Sequence, residues 1–261
     1  MAVLAVADLH GFAKEAIYAI ERAGINEDKS LKLVVLGDVL DRGPGAVELT
    51  DYLLDLAKDA RLIPIRGNHE DLLESALSEI MRGNMWKVAH PNADHVKNGT
   101  YGTLLQLSGM SECEADKKPY LLVERVKNSR FYKELLPRMI NFYETKNHIF
   151  THGWIPCESI DFGDRERYYY NPDWRIASAD EWRRARWRNG MLLCCKHGIK
   201  EPGKTIVCGH WNASYGHSVL DGRGTEFGNN ADFSPYYADG ILALDACTVN
   251  SHKVNCVRLE D

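Results

Sequence analysis

The chain lacks several things, and each absence excludes something. It has no CxxC pair, and its seven cysteines (Cys113, Cys157, Cys194, Cys195, Cys208, Cys247 and Cys256) are odd in number and scattered. They read as reduced thiols, several in apolar segments, rather than as a disulfide framework or a zinc–thiolate site. There is no excess of positive charge: 32 Lys and Arg against 37 Asp and Glu give a net charge of -5. That argues against a general nucleic-acid binder, which carries a basic surplus. No apolar run approaches the roughly 20 residues of a membrane-spanning helix. The apolar start, Met1–Ala7, is short, has no basic region before it and runs straight into Asp8. It reads as a first core strand rather than a secretion signal, so a cytoplasmic protein is expected. No repeat, low-complexity tract or linker stands out, so one domain over 1–261 is expected.

What is present suits a packed domain. Hydrophobic residues make up 44% and charged residues 26% of 261 residues, values of an ordinary soluble globular protein. The first half alternates. Val3–Val6, Leu31–Leu36 and Leu62–Ile65 read as strands, the second a continuous apolar run of the kind covered on both faces. Lys14–Ala23, Pro44–Ala60 and Asp71–Met81 read as helices with apolar residues at helical spacing. A segment of about 82–147 reads as helices and loops, with an amphipathic stretch from Ser129 to Glu144. The second half supplies strands at His148–Phe150, Thr205–Val207, Ile241–Asp245 and Lys253–Leu259. An insert rich in Arg, Trp and Tyr occupies about 159–203. The expected fold class is α/β, a two-sheet β-sandwich flanked by helices.

Five short motifs end hydrophobic runs with residues able to bind metal. They are Asp8-Leu9-His10-Gly11, Gly37-Asp38-Val39-Leu40-Asp41-Arg42-Gly43, Arg66-Gly67-Asn68-His69-Glu70, Thr151-His152-Gly153 and Cys208-Gly209-His210. Asp, Asn and His are poor packing choices at strand ends, but ligands gather at the carboxyl ends of strands in open α/β sheets. Asp8 and His10, two apart on an extended chain, point the same way and can grip one ion. Asp38 can bridge two ions through its two oxygens. Asn68, His152 and His210 can complete a second. Mixed N/O ligation suits Mn, Fe or Zn and argues against calcium. Two ions about 3.5–4 Å apart can share a hydroxide and hold a phosphoryl group. His69 is then placed to protonate a leaving oxygen, Asp41 to orient His69, and Arg42 to fork onto phosphate oxygens.

These motifs resemble the signature of the calcineurin-like metallophosphoesterases, and most closely the phosphoprotein phosphatase branch. That branch holds Ser/Thr protein phosphatases, phage phosphatases and bacterial symmetrical diadenosine tetraphosphate hydrolases. The resemblance spans residues 3 to about 215, with Ala7 standing where glycine is usual. It implies a dinuclear Mn/Fe/Zn-type centre held by Asp8, His10, Asp38, Asn68, His152 and His210. It also implies an acid dyad of His69 and Asp41, with Arg42 on phosphate. A second phosphate-binding arginine is implied between His152 and His210. Of the arginines in Trp182-Arg183-Arg184-Ala185-Arg186-Trp187-Arg188, Arg186 is the choice, with Arg184 next. Asn98-Gly99-Thr100-Tyr101-Gly102-Thr103 either resembles a substrate-side turn of the bacterial members or is an ordinary glycine-rich loop.

The expected activity is hydrolysis of phosphomonoesters on phosphoproteins or small molecules, by a hydroxide held between the ions. The alternative is a bis(5'-nucleosyl)-tetraphosphatase, for which the Arg/Trp/Tyr insert would supply stacking. A phosphodiesterase and a catalytically silent metal-binding scaffold rank lower. No membrane partner is expected, and nucleic acid is disfavoured.

Overall fold

Short β-branched runs such as Leu33-Val34-Val35 and Ile206-Val207 favour extended chain, and here they build two sheets. The computed structural model describes residues 2–161 and 166–260. In chain order the strands are β1 (Val3–Val6), β2 (Lys32–Val35), β3 (Leu62–Pro64), β4 (Phe142–Glu144), β5 (His148–Thr151), β6 (Cys157–Asp161), β7 (Glu166–Tyr170), β8 (Thr205–Cys208), β9 (Tyr236–Ala238), β10 (Ile241–Ala243) and β11 (Cys256–Leu259). The first sheet has the order β11-β1-β2-β3 and the second β4-β5-β8-β10-β9. Within them β1, β2 and β3 are mutually parallel, as are β5, β8 and β10, while β4, β9 and β11 run antiparallel at the edges.

The sheets pack face to face. Val3, Ala5, Ala7, Val34, Leu36 and Ile65 from one side meet Phe150, Val207, Leu242 and Leu244 from the other, all buried. The alternate residues of the same strands point outward. Leu4, Val6, Leu33 and Val35 meet the helices Ala13–Arg22, Ala46–Lys58 and Asn68–Met81 in a second apolar cluster. Ile149, Ile206, Cys208, Ile241 and Ala243 meet Trp154, Trp174, Trp182 and Met191 in a third. This period-of-two division makes four layers, helix, sheet, sheet and helix. The expected sandwich flanked by helices is what the chain forms.

Several boundaries differ from expectation, for local reasons. The helix expected from Asp71 begins at Asn68, so Asn68 and His69 lie in its first turn. The stretch Ser129–Glu144 does not continue as an amphipathic helix. It widens into a π turn at Phe131–Leu135, tightens to a 3₁₀ turn at Leu136–Arg138, then leaves as β4. Pro137, with no N–H to give, cannot continue the π-turn pairing. Residues 98–103 are not a loop, since Thr100 opens a helix to Ser108. The insert is organised by the β6–β7 hairpin and the helices Ala179–Arg186 and Gly190–His197, with positions 162–165 outside the described residues. Trp174 is fully buried there, as packing rather than a stacking platform.

An ion cluster ties this insert to the second sheet. Arg175 pairs Glu144 through Nε at 2.9 Å and Nη2 at 2.6 Å, and Nη2 also reaches Glu201 at 2.8 Å. Lys204 Nζ lies 3.0 Å from Glu144. The forked bond from Arg175 holds the Glu144 carboxyl down to about 2, against an ordinary value of 4.5. A depressed carboxylate stabilises the fold above its unfolded value and loses that contribution as pH falls through its folded value. Glu144→Gln is therefore expected to lower the urea midpoint at pH 6, with the gap to wild type closing between pH 4.5 and about 2. An unchanging gap across that window would show that the cluster contributes no linked stability.

Candidate metal centre

All five motifs arrive at one end of the sandwich. Asp8 follows β1, Asp38 follows β2, Asn68 follows β3, His152 follows β5 and His210 follows β8. Asp38 is central and almost fully buried. Its Oδ2 lies 3.9 Å from His10 Nε2 and 3.7 Å from His69 Nε2, and its Oδ1 lies 3.3 Å from His152 Nε2. Two groups of three therefore share this carboxylate, His10–Asp38–His69 and Asp38–His152–His210. Within each group the ligand atoms lie within 4.8 Å of one another. Asn68 Oδ1 is 2.7 Å from His152 Nε2, which puts it beside the second group. Asp8 stands behind His210, whose backbone N–H donates to both its oxygens at 3.0 and 2.9 Å.

The imidazoles are aimed by their other nitrogens. His10 Nδ1 meets Leu40 O at 3.1 Å and His152 Nδ1 meets Leu36 O at 2.6 Å. Such carbonyl partners fix the Nδ1–H tautomer and turn the Nε2 lone pair toward the site, the arrangement a metal-binding histidine needs. His210 is held by the backbone of Trp187. His69 differs. Its Nδ1 pairs with a carboxylate, Asp41 Oδ2, at 2.7 Å, and Thr100 Oγ1 donates to the same oxygen at 2.7 Å. Arg42 Nη1 and Nη2 lie 2.7 Å from His10 Nε2 and 3.3 Å from His69 Nε2, so the guanidinium faces the same space. His69 can act as ligand or as proton donor through Nε2, but not as both at once.

The backbone is bent to do this. Asp8, His10, Asp38, Asp41, Arg42 and His210 all have positive φ, between 46° and 76°. For residues with a side chain that region is sparsely populated and costs stability, and it clusters at functional sites.

Comparison with known proteins fits this geometry. The family model of the calcineurin-like phosphoesterases matches residues 1–234. The chain belongs to that family. It is accordingly a metal-dependent phosphoester hydrolase. No curated protein sequence matches it. Among solved structures, a cold-active protein tyrosine phosphatase of a psychrophilic Shewanella species aligns with 100% of this chain and 75% of its own at 13% identity and a TM-score of 0.51. A protein described as a candidate diadenosine tetraphosphatase aligns with 99% of this chain and 89% of its own at 12% identity and a TM-score of 0.48. A metallophosphoesterase from Sphaerobacter thermophilus aligns with 100% of this chain and 89% of its own at 15% identity and a TM-score of 0.45. At 13% identity the likeness to the first of these is one of fold.

The donor set of this calcineurin-like phosphoesterase fits metal ions. Burial lowers the pKa of His10 and His152 and takes His210 down to about 3, which favours the neutral form a ligand needs. Burial pushes the Asp38 carboxyl up, but the surrounding histidines outweigh it and hold it below the usual range. Burial and the nearby Asp245 and Asp38 push Asp8 well up. Buried carboxylates this close repel one another unless cations lie among them.

Two residues of the site went unread in the sequence. Glu70 is fully buried and accepts the N–H groups of Gly67, Asp38 and Val39 at 2.8, 3.1 and 3.0 Å. It clamps the Asp38 loop to the start of its own helix. Asp245 follows β10, a sixth strand end beside the other five, and accepts from Cys247 N at 2.7 Å. Burial pushes it up to about 6. Its sequence signal is a carboxylate closing the apolar run Ile241–Leu244, which reads equally well as a strand continuing through Asp245. Arg186, read as a phosphate ligand, is buried and already bonded: Nε to Asp71 Oδ2 at 2.8 Å, Nη2 to Asp71 Oδ1 at 3.3 Å and Nη1 to Asn141 Oδ1 at 3.0 Å. Arg184 is exposed.

Close packing makes one glycine decisive. A Cβ on Gly67 would lie 2.1 Å from Asp38 Oδ1 and 2.4 Å from Asp38 N. Neither can yield without moving the shared carboxylate. Gly67→Ala is expected to weaken metal binding by about 10- to 100-fold while the circular dichroism spectrum is retained, as read by metal titration. Unchanged affinity would show that Asp38 tolerates displacement.

Proposed function

We propose that this phosphoesterase is a phosphomonoesterase of Ser/Thr-phosphatase type, acting in the cytoplasm on phosphoproteins or small phosphate esters. Its cofactor would be a pair of Mn, Fe or Zn-type ions. The observation that carries the reading is the Asp38 carboxylate flanked by imidazoles on both sides, with the His69–Asp41 pair and Arg42 facing the same space.

In this reading His10, Asp38 and Asp8 hold one ion, and Asp38, Asn68, His152 and His210 the other. The bound ions supply positive charge for phosphate oxygens and acidify a water at neutral pH. The chain's own residues do the rest. Arg42 offers two parallel N–H groups to the non-bridging oxygens, where negative charge builds up. Arg186, with Asp71 holding one edge of its fork, contributes longer-range positive charge and keeps free N–H positions on Nη1 and Nη2. His69 gives its Nε2 proton to the departing oxygen. Asp41 keeps the ring oriented and favours the protonated form, since together with Asp38 it raises the His69 pKa against the opposing effect of burial.

A second reading, a dinucleoside polyphosphate hydrolase, is favoured by one specific feature. Two solvent-exposed tryptophans flank His210: Trp187, 47% exposed, with ring centroids 5.8 Å apart, and Trp211, 38% exposed, at 6.0 Å. Exposed indoles beside a phosphate site suit stacking on a base.

The test is a paired assay on protein stripped of metal and reloaded with Mn. One arm uses an aryl phosphate and a phosphopeptide, the other diadenosine tetraphosphate. Turnover confined to the first arm is expected. A clear preference for the dinucleotide would move the assignment to the second reading. On the phosphopeptide, whose alkoxide leaving group needs a proton, His69→Ala is expected to lower kcat by about 10²–10⁴-fold with both ions retained, and on the aryl phosphate by much less. Loss of metal in that variant would make His69 a ligand instead of the acid.

A further inference from the structure

Asp41, behind His69, has one oxygen that no protein group satisfies. Its Oδ2 takes His69 Nδ1 and the Thr100 hydroxyl. Its backbone N–H goes to Thr103 Oγ1 at 3.1 Å. Its Oδ1 is fully buried and has no partner. A buried charged oxygen left without a donor is costly, so a donor within reach is expected to turn to it.

One donor, just ahead of the helix that binds Asp41, is itself unsatisfied. His95 is 8% exposed, and its Nδ1 is likewise buried without a partner. Among the described residues only Tyr52 OH shares that condition. The chain brings His95 to Asp41 by a short path. The turn Asp94–Lys97 runs through Gly99 into the helix Thr100–Ser108, which carries both threonines that bind Asp41. Gly99 presses on this loop so closely that a Cβ there would lie 2.3 Å from Arg42 N. Burial lowers the His95 pKa, and the carboxylate opposing this most strongly is Asp41, ahead of His95's own neighbour Asp94. His95 also lines a cavity of about 450 Å³ with Glu79, Trp86 and His90.

We propose that His95 is a positioning residue for the acid dyad, its Nδ1–H donating to Asp41 Oδ1 directly or across one water. Asp41 is then held at both oxygens, and the His69 ring it orients cannot swing away from the leaving oxygen. His95 is neutral in this role and moves no proton. The inference rests on reading His69 as the acid.

The test compares two amides. Asn places its N–H near the position of His Nδ1, while Gln places it near that of Nε2. For each variant, kcat is measured on glycerol phosphate, whose alkoxide needs a proton on leaving, and on p-nitrophenyl phosphate, whose phenolate does not. His95→Gln is expected to lower the ratio of the two kcat values about tenfold, as loss of an outer-shell orienting bond does. His95→Asn is expected to keep the ratio within about twofold of wild type. Metal content is measured alongside. Equal loss on both substrates, an unchanged ratio in His95→Gln, or a lower ratio in His95→Asn than in His95→Gln would overturn the proposal. His69→Ala is run in parallel. If it loses both substrates equally, the acid assignment fails on its own account, separately from the fate of His95.

Discussion

The constraint on which the site depends is the burial of a single carboxylate, Asp38, at the open end of a β-sandwich. Taking such a group out of water costs several kcal/mol unless it is paired and hydrogen-bonded. The surrounding chain meets that cost from several directions. The N–H of His69, at the first turn of its helix, donates to Asp38 Oδ1 at 3.0 Å, where the helix dipole also favours an anion. Three imidazoles stand within 3.9 Å of its oxygens. Glu70 fixes the Asp38 loop through the N–H groups of Asp38 and Val39 and ties it to Gly67 through a third, and Gly67 leaves room that no Cβ would. The sequence Gly67-Asn68-His69-Glu70 is thus one device. Its glycine admits the carboxylate, its helix start supplies a donor, and its last residue clamps the loop that carries the carboxylate.

Strain and charge come together here because both arise from bringing polar groups to one point. Strand ends in a parallel sheet deliver side chains about 5 Å apart in adjacent strands. Closer convergence needs the chain to turn immediately after the strand. The left-handed φ of Asp8, His10, Asp38, Asp41, Arg42 and His210 is that turn. The cost is carried by the sandwich beneath. There, Val3, Ala5, Val34, Phe150, Val207 and Leu242 bury both sheet faces against each other and hold the strand ends in register. Stability is spent locally for geometry, and a bound metal pair would return part of it through favourable charge.

The residues that gather at this end of the sandwich stood out in the sequence, for a physical reason. Asp38, Asn68, His152 and His210 each stop an apolar run with a residue that packing would not choose, so each stands out singly and all point to one end. The strands bearing them are continuous apolar runs and were equally plain. The edge strands were not. β4 (Phe142-Tyr143-Glu144) and β7 (Glu166–Tyr170) are short, half-exposed and polar on alternate residues. Nothing in three to five such residues separates strand from loop. Glu70 escaped because a buried glutamate that clamps backbone has the same sequence signature as an exposed first-turn glutamate. His95 escaped because its meaning lies in an unpaired nitrogen, which only coordinates reveal. Arg186 shows the opposite limit. Four arginines within six residues (183–188) could be ranked but not placed, and Arg186 proves to be tied to Asp71 and Asn141.

The insert has a role that composition alone would not suggest. Its Trp, Tyr and Arg content reads as a surface for ligands, yet part of that content builds a local core of Trp174 and Trp182 and the Glu144–Arg175–Glu201 cluster. The core matters to the centre because it fixes the end of the helix Ala179–Arg186. From that end the Trp187 backbone holds His210, and Ala185 O accepts the Trp154 N–H at 3.1 Å, just beyond His152 and Gly153. A Cβ on Gly153 would lie 2.4 Å from Ala185 O, so the His152 turn is packed directly against the insert. Both histidines of the second group therefore take their positions from residues 179–187 as much as from their own strands. The first group, by contrast, leans on the 94–103 segment through Thr100 and Thr103. The two halves of the centre meet at Asp38, but each is braced by its own added segment. A change in one segment can thus alter one half of the site while leaving the ligands of the other in place.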